Sequence, residues 1–195
     1  MFYQGTFRWS SEDKGDLIII ENDSRIKFSG SEIHHSIIRT NKHIPETSKT
    51  FYFEAKVVES GKEGLISIGL TKTNPSTRSG YFPGWSSSLG IGYHADDGGI
   101  YYGRGQAIQH TEPYVTGDIV GCYLCCFDIN NLSRTLVQFT KNGETVCSPR
   151  IIAKDKWYPT LGVGSPGATI ETNFGETSFL FNTEGIYEIH TYKYF

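Results

Sequence analysis

Apolar and polar residues alternate along Phe51-Tyr52-Phe53-Glu54-Ala55-Lys56-Val57, which puts Phe51, Phe53, Ala55 and Val57 on one face of an extended chain. A period of two is the geometry of a half-buried strand, and no segment shows a sustained helical period. After Gly61-Lys-Glu-Gly64, the run Leu65-Ile-Ser-Ile-Gly-Leu70 supplies a return strand, so residues 51–70 read as a hairpin. A second hairpin is marked by Asn142-Gly143 between the β-prone runs of Val137 to Cys147, because Asn-Gly suits the positive backbone angles of a type I′ turn. Further strands are expected over residues 17–21, 37–39, 119–127, 158–163 and 168–174, separated by Gly, Pro, Asn and Asp. Only Thr183 to Phe195 offers a short helical turn, and its aromatics suit docking on a sheet edge equally well. Many short strands without intervening helices imply an all-β antiparallel sandwich or barrel.

At 195 residues the chain is long enough for one well-buried core, and no linker-like tract divides it. A net charge of -3 with scattered Lys and Arg supplies no basic field, which argues against a nucleic-acid partner. The opening Met1-Phe-Tyr-Gln-Gly lacks a basic region followed by an apolar run, and no stretch is long and apolar enough to cross a bilayer. The expectation is a protein that is neither exported nor membrane-bound, cytoplasmic or also nuclear. The sequons at Asn22 and Asn131 would matter only in a secreted protein.

Cys122-Tyr-Leu-Cys125 has the spacing of half a zinc site. In a strand, however, Cys122 and Cys126 point to one face and Cys125 to the other, so one metal does not easily collect them. Buried, reduced thiols are expected, with Cys147 as the fourth. No cofactor is implied.

Gly84-Trp85 and Gly92-Tyr-His-Ala-Asp-Asp-Gly98 concentrate aromatic and turn residues as binding loops do. Tyr93 combines an apolar ring with a hydroxyl, and next to a turn it reads as a recognition tyrosine, the alternative being the edge of the core. Trp85, behind Pro83-Gly84, reads more simply as a pin holding a loop on the core than as an interface anchor. His94 with Asp96 and Asp97 resembles an acid–base or cation site. Yet Asp-Asp-Gly-Gly is what a tight turn selects, with an exposed aspartate left for a ligand. Arg39 is either a fork for a carboxylate or a surface cation paired with a nearby acid. His34-His35 lacks a third ligand, and Asp128-Ile-Asn-Asn131 reads as a hairpin loop. Phosphate-loop, nucleophile-elbow and Cys/His nucleophile patterns are missing from the sequence.

Taken in order, several segments resemble a SPRY domain, and most nearly the SPRY domain of RanBPM-type Ran-binding proteins. They are Phe51 to Val58, Pro83-Gly-Trp85, Gly92 to Gly98, Thr116-Gly-Asp-Ile-Val-Gly-Cys122, Phe139-Thr-Lys-Asn-Gly143, Trp157-Tyr-Pro-Thr160 and Asn173-Phe-Gly175. The resemblance implies a bent sandwich of two antiparallel sheets at residues 31–182, with N-terminal strands in 1–30 flanking or completing it and a short extension at 183–195. It implies a non-enzymatic module whose preformed loops bind a short peptide of a partner protein; the sequence leaves the oligomeric state open, with a monomeric domain as the expectation. The first such loop would be Arg39, Thr40, Asn41 and Lys42. Tyr93 matches a tyrosine that lines the peptide site, Asp96 and Asp97 lie beside it, and Gly164, Ser165 and Pro166 form the loop that carries a tryptophan-containing triplet in SPRY/SOCS-box proteins. Serine in that loop favours the RanBPM-like branch, and Phe179-Leu-Phe-Asn is similar to where such chains leave the domain for helical LisH and CTLH regions, absent here. An excised domain or a short relative is implied, belonging to an adaptor that presents clients to a ubiquitin ligase. The alternative is a secreted effector of the kind by which plant-parasitic nematodes engage host proteins.

Overall fold

The computed structural model describes residues 6–72, 81–85, 89–103, 105–129 and 132–183, and every regular element among them is a strand. In chain order these are β1 (Trp9–Lys14), β2 (Ile18–Ile20), β3 (Arg25–Phe28), β4 (Ser36–Thr40), β5 (Thr50–Glu59), β6 (Ile66–Thr71), β7 (Gly90–His94) and β8 (Gly99–Tyr101). They continue as β9 (Ala107–His110), β10 (Ile119–Ile129), β11 (Leu132–Lys141), β12 (Glu144–Thr145), β13 (Arg150–Ala153), β14 (Tyr158–Val163) and β15 (Thr169–Asn173).

All pairings are antiparallel. A seven-stranded sheet runs β1-β4-β14-β6-β7-β8-β9, and an eight-stranded sheet runs β12-β11-β10-β5-β15-β3-β2 with β13 paired to β11. The two inner faces share one core: Phe51, Phe53, Ala55 and Val57 of β5 with Cys122 and Leu124 of β10 on one side, and Ile66, Ile68 and Leu70 of β6 with Ile91, Leu161 and Val163 on the other. Each Phe, Val, Ile or Leu among them contributes about 1.5–3 kcal/mol when fully buried, so the period-two pattern fixes which face of every strand turns inward.

One expected hairpin is corrected. Residues 51–70 do not pair with each other, because β5 belongs to the eight-stranded sheet and β6 to the seven-stranded one. Their apolar faces oppose each other across the core, and the chain crosses between sheets at Gly61 and Gly64, both at positive φ (70° and 64°). The Asn142-Gly143 turn is as expected, with φ of 50° and 85° joining β11 to β12.

The outer face of β5 also differs from expectation. Tyr52 and Glu54, assigned by alternation to solvent, are 2% and 5% exposed. The C-terminal segment covers them: Phe179 and Phe181 pack on Tyr52, with ring centroids at 4.9 and 5.2 Å, in a second apolar cluster with Tyr123 and Leu136. The helical turn and edge-docking aromatics expected near the C-terminus fall at residues 184–195, outside the described residues.

Candidate functional site

The strand registers decide which loops meet. In the seven-stranded sheet Ser36 pairs with Val163, Val163 with Ile66, Ser67 with His94, and Gly99 with His110. One end of the sheet therefore gathers His34-His35, Gly164 to Pro166, Gly61 to Leu65 and the turn Ala95 to Gly98. The segment Thr40 to Lys42 lies at the opposite end, because Arg39 pairs with Thr160 and Tyr158 with Thr71. The expected site residues thus form two groups rather than one.

Two of them are corrected from surface groups to buried ones. Tyr93 is 0% exposed in the middle of the sheet, because its position in β7 places the ring on the inner face. That ring packs on Tyr114 and Phe139, with centroids at 4.7 and 6.0 Å, and its hydroxyl donates to the Glu112 carbonyl. Burial, then the nearby Glu112 and Asp118, raises the phenol far above its ordinary range. Arg39 is 2% exposed and lies in β4 rather than in a loop. Its guanidinium reaches Asp13 at 3.3 Å and donates to the Lys72 carbonyl at 3.2 Å, tying β1 and the end of β6 to β4.

Thr40 is buried beside it, with its hydroxyl on the Lys42 carbonyl at 2.8 Å. Asn41 exchanges hydrogen bonds with the Arg8 backbone, and the Lys42 ammonium sits 4.9 Å from the centre of the Phe7 ring. These contacts hold the N-terminal segment. Gly164 and Ser165 are buried, and the Ser165 hydroxyl accepts from the Leu65 amide at 3.0 Å, which leaves Pro166 as the surface residue of its triplet.

In the turn, Asp97 accepts from the Gly99 amide at 2.8 Å and from the Tyr101 hydroxyl, while Gly98 takes φ of 67°. Asp96 is exposed. His94 is buried, and its Nε2 donates to the Pro83 carbonyl at 2.9 Å. Burial lowers the imidazole's pKa, against smaller opposing contributions from that bond and from Asp96 and Asp97. A histidine and carboxylate held in these bonds have little freedom left for proton transfer.

The outward-facing surface of this sheet carries a feature that the loop reading missed. Glycines at 69, 92 and 162 leave the backbone bare, and the segment Tyr81 to Trp85 lies directly on it. A Cβ at Gly92 would fall 2.4 Å from the Pro83 carbonyl oxygen, and one at Gly162 would fall 2.6 Å from the Phe82 ring. Phe82 stacks on His35 with centroids at 4.6 Å. Trp85 lies over Tyr101 at 5.0 Å and over His94 at 6.1 Å, nearly parallel to the imidazole, and remains 40% exposed. Trp85 is therefore both a pin and a displayed surface. Tyr101 went unrecognised because Gly98-Gly-Ile-Tyr101 lacks a strand-length alternation; its position two residues after Gly99 is the available clue.

A separate groove of about 920 Å³ runs over the eight-stranded sheet between the two ends of the chain, lined by Phe7, Arg8, Glu54, Lys56, Phe174 and Phe179 among others. Among the described residues no three His, Cys, Asp or Glu side chains are grouped to hold a metal ion. The four cysteines are free, with Cys122 facing the main core and Cys125 the outer cluster, as the strand alternation predicts. Burial raises all four thiols. No helix of the described residues is long and apolar enough to cross a membrane.

Residues 50–177 match the SPRY domain family. The chain is 31% identical over 180 residues to Ran-binding protein 10 of Danio rerio, covering 90% of this chain and 28% of that protein. It is 33% identical over 178 residues to the Ran-binding proteins 9/10 homolog of Drosophila melanogaster, covering 89% of this chain and 18% of that one. Against the Ran-binding protein M homolog of Arabidopsis thaliana, identity is 32% over 174 residues, covering 88% and 35%. The chain thus spans less than a third of the length of Ran-binding proteins 9 and 10 of Danio rerio and of the Drosophila homolog. Among solved structures, a human SPRY domain superposes with a TM-score of 0.72 at 26% identity, covering 89% of this chain and all of that one. The SPRY domain of human HERC1 shares the fold with a TM-score of 0.63 at 17% identity, covering 87% and 99%.

Proposed function

Because this chain belongs to the SPRY domain family, a family of protein-interaction modules, we propose that it binds a short extended segment of a partner protein without performing chemistry on it. The observation that carries this reading is Trp85, a large aromatic surface open to solvent yet held on one side by Tyr101 and His94. A side chain already fixed in place loses little entropy on binding, so a few contacts suffice for affinity. Buried Phe82 and Tyr101 support the surface around Trp85, which includes exposed His35 on the Phe82 side and Asp97 and Asp96 on the Tyr101 side. In this reading Tyr93 and Ser165 support the surface from within, whereas Arg39, Thr40, Asn41 and Lys42 brace the other end of the sheet.

The non-enzymatic part of the proposal is supported by His94, whose Nε2 donates to the Pro83 carbonyl, and by Asp97, each of whose oxygens already accepts one structural hydrogen bond. The similarity to Ran-binding proteins 9 and 10 supports a place in an intracellular adaptor, cytoplasmic or nuclear, that presents clients to a ubiquitin-ligase assembly. The test is selection of an unbiased short-peptide library on the purified chain beside Trp85→Ala, with folding of both verified by their melting transitions. Enrichment of one motif by the parent and its loss in the variant supports the reading. Equal enrichment by both moves recognition off this face, and no enrichment overturns peptide recognition.

A further inference from the structure

We infer that the recognised peptide contributes a basic side chain, whose cationic head lies on the open face of Trp85 beside Asp96 and Asp97. This rests on the peptide-recognition reading above and specifies its ligand.

The first support is the indole itself. Trp85 rests against Tyr101 and His94 and is 40% exposed, so part of the indole stays available to solvent, and an aromatic ring attracts cations through its quadrupole. The second is the balance of charge around it. Asp96 is exposed and makes no hydrogen bond or ion pair among the described residues. Asp97 binds the Tyr101 hydroxyl with one oxygen and the Gly99 amide with the other, which leaves lone pairs on both for a further donor. Because Trp85 lies on Tyr101, the Asp97 carboxylate is one ring away from the open indole face.

The described charges of the elements packed here do not cancel these two acids. Arg39 reaches Asp13, and Lys72 reaches Asp155 at 2.7 Å, at the opposite end of the sheet. His35 and His94 are both disfavoured as cations by burial, and His110 meets only the Asp97 carbonyl, at 3.5 Å. A partly exposed indole near two carboxylates that no described cation pairs with favours a cation over an acidic or neutral group. It also favours arginine over lysine, since a guanidinium stacks on the indole while its fork reaches a carboxylate.

The experiment uses the peptides selected from the unbiased library and measures their affinity for the parent chain and for Asp96→Asn, an exposed position whose replacement leaves folding intact. The expected result is enrichment of Arg at one peptide position, with binding weakened about three- to tenfold by Asp96→Asn and again by replacing that Arg with neutral citrulline. Selected peptides without a basic residue, or basic ones whose affinity is indifferent to both changes, overturn the cation inference while peptide recognition stands. An absence of any enriched peptide overturns both.

Discussion

The Glu54 carboxylate accepts a hydrogen bond from the Leu180 amide at 3.1 Å, joining residues 126 positions apart. Its other oxygen takes the Phe181 amide at 3.0 Å and the Tyr52 hydroxyl at 2.9 Å. One buried acid therefore fixes the C-terminal segment on the eight-stranded sheet and draws Phe179 and Phe181 over Tyr52. Glu54→Ala leaves the two amides without this acceptor, at an expected cost of about 2–3 kcal/mol. For a chain of this size that corresponds to a melting temperature lower by roughly 5–10 °C. A change within a degree or two in thermal unfolding would show that the clamp does not stabilise the fold.

That contact also shows where sequence reading stops. Alternation correctly assigned the inward face of β5 and the opposed faces of Cys122 and Cys125 in β10, and Asn142-Gly143 fixed its hairpin, because both signals are local. Alternation cannot say which sheet a strand joins, so β5 and β6 appeared to be partners when they face each other across the core. Nor can it see that Phe179 and Phe181 return to cover Tyr52, which makes an apparently solvent-facing position a buried one. The site was legible in part for the same reason. The Asp96-Asp97 turn follows from local chemistry, but Arg39 is buried by Asp13 and Lys72, and the segment carrying Trp85 needs glycines from two strands, at 92 and 162. Tyr93 was misplaced because proximity to a turn outweighed its inward register.

Arg39 separates structural from binding roles. Arg39→Ala removes a buried cation from the Asp13 carboxylate and the Lys72 carbonyl, with an expected loss of about 2–3 kcal/mol, tempered because Asp13 is partly exposed. Lysine should restore little of it, since a single ammonium cannot reproduce the guanidinium's spread of donors. Peptide affinity of the fraction that remains folded should equal that of the parent. Weaker binding with an unchanged melting temperature would instead make Arg39 a ligand contact.

His94 predicts an acid-sensitive fold. Burial lowers its pKa from the ordinary value near 6.5, so the unfolded chain takes up a proton as pH falls through about 6.5 while the folded chain resists it. Its contribution to stability is full above that pH and declines as pH drops toward the folded-state pKa. His35 is shifted in the same direction and adds to the slope. Urea unfolding between pH 7.5 and pH 5, bracketing the ordinary histidine value, should show a shallower decline for His94→Gln than for the parent. Identical slopes would remove His94 as a source of the pH dependence.

The cysteines predict chemical inertness. Cys122 and Cys147 are buried thiols whose pKa values are raised, and Cys125 and Cys126 are raised as well, so little thiolate exists at neutral pH. Iodoacetamide at pH 7.5 should label the folded chain slowly and all four thiols rapidly once it is denatured. Fast modification of Cys122 in the native state, read by mass spectrometry, would mean that β10 opens far more readily than its position between β5 and β11 implies.

The glycine floor is tested at Gly92. An added methyl would meet the Pro83 carbonyl oxygen at 2.4 Å and the Pro83 Cβ at 2.8 Å, and neither belongs to a flexible side-chain end. Gly92→Ala should therefore lift the segment from Tyr81 to Trp85 off the sheet, at about 1–3 kcal/mol for overpacking. Trp9 and Trp157 are buried, so Trp85 dominates the accessible fluorescence of the chain's three tryptophans. Lifting it away from Tyr101 and His94 should red-shift its emission and increase acrylamide quenching. The peptide-binding loss should exceed the loss of stability, because the preformed orientation of the indole is what the proposed site uses. Unchanged quenching and a parent-like melting temperature would show that the segment does not depend on the bare backbone beneath it.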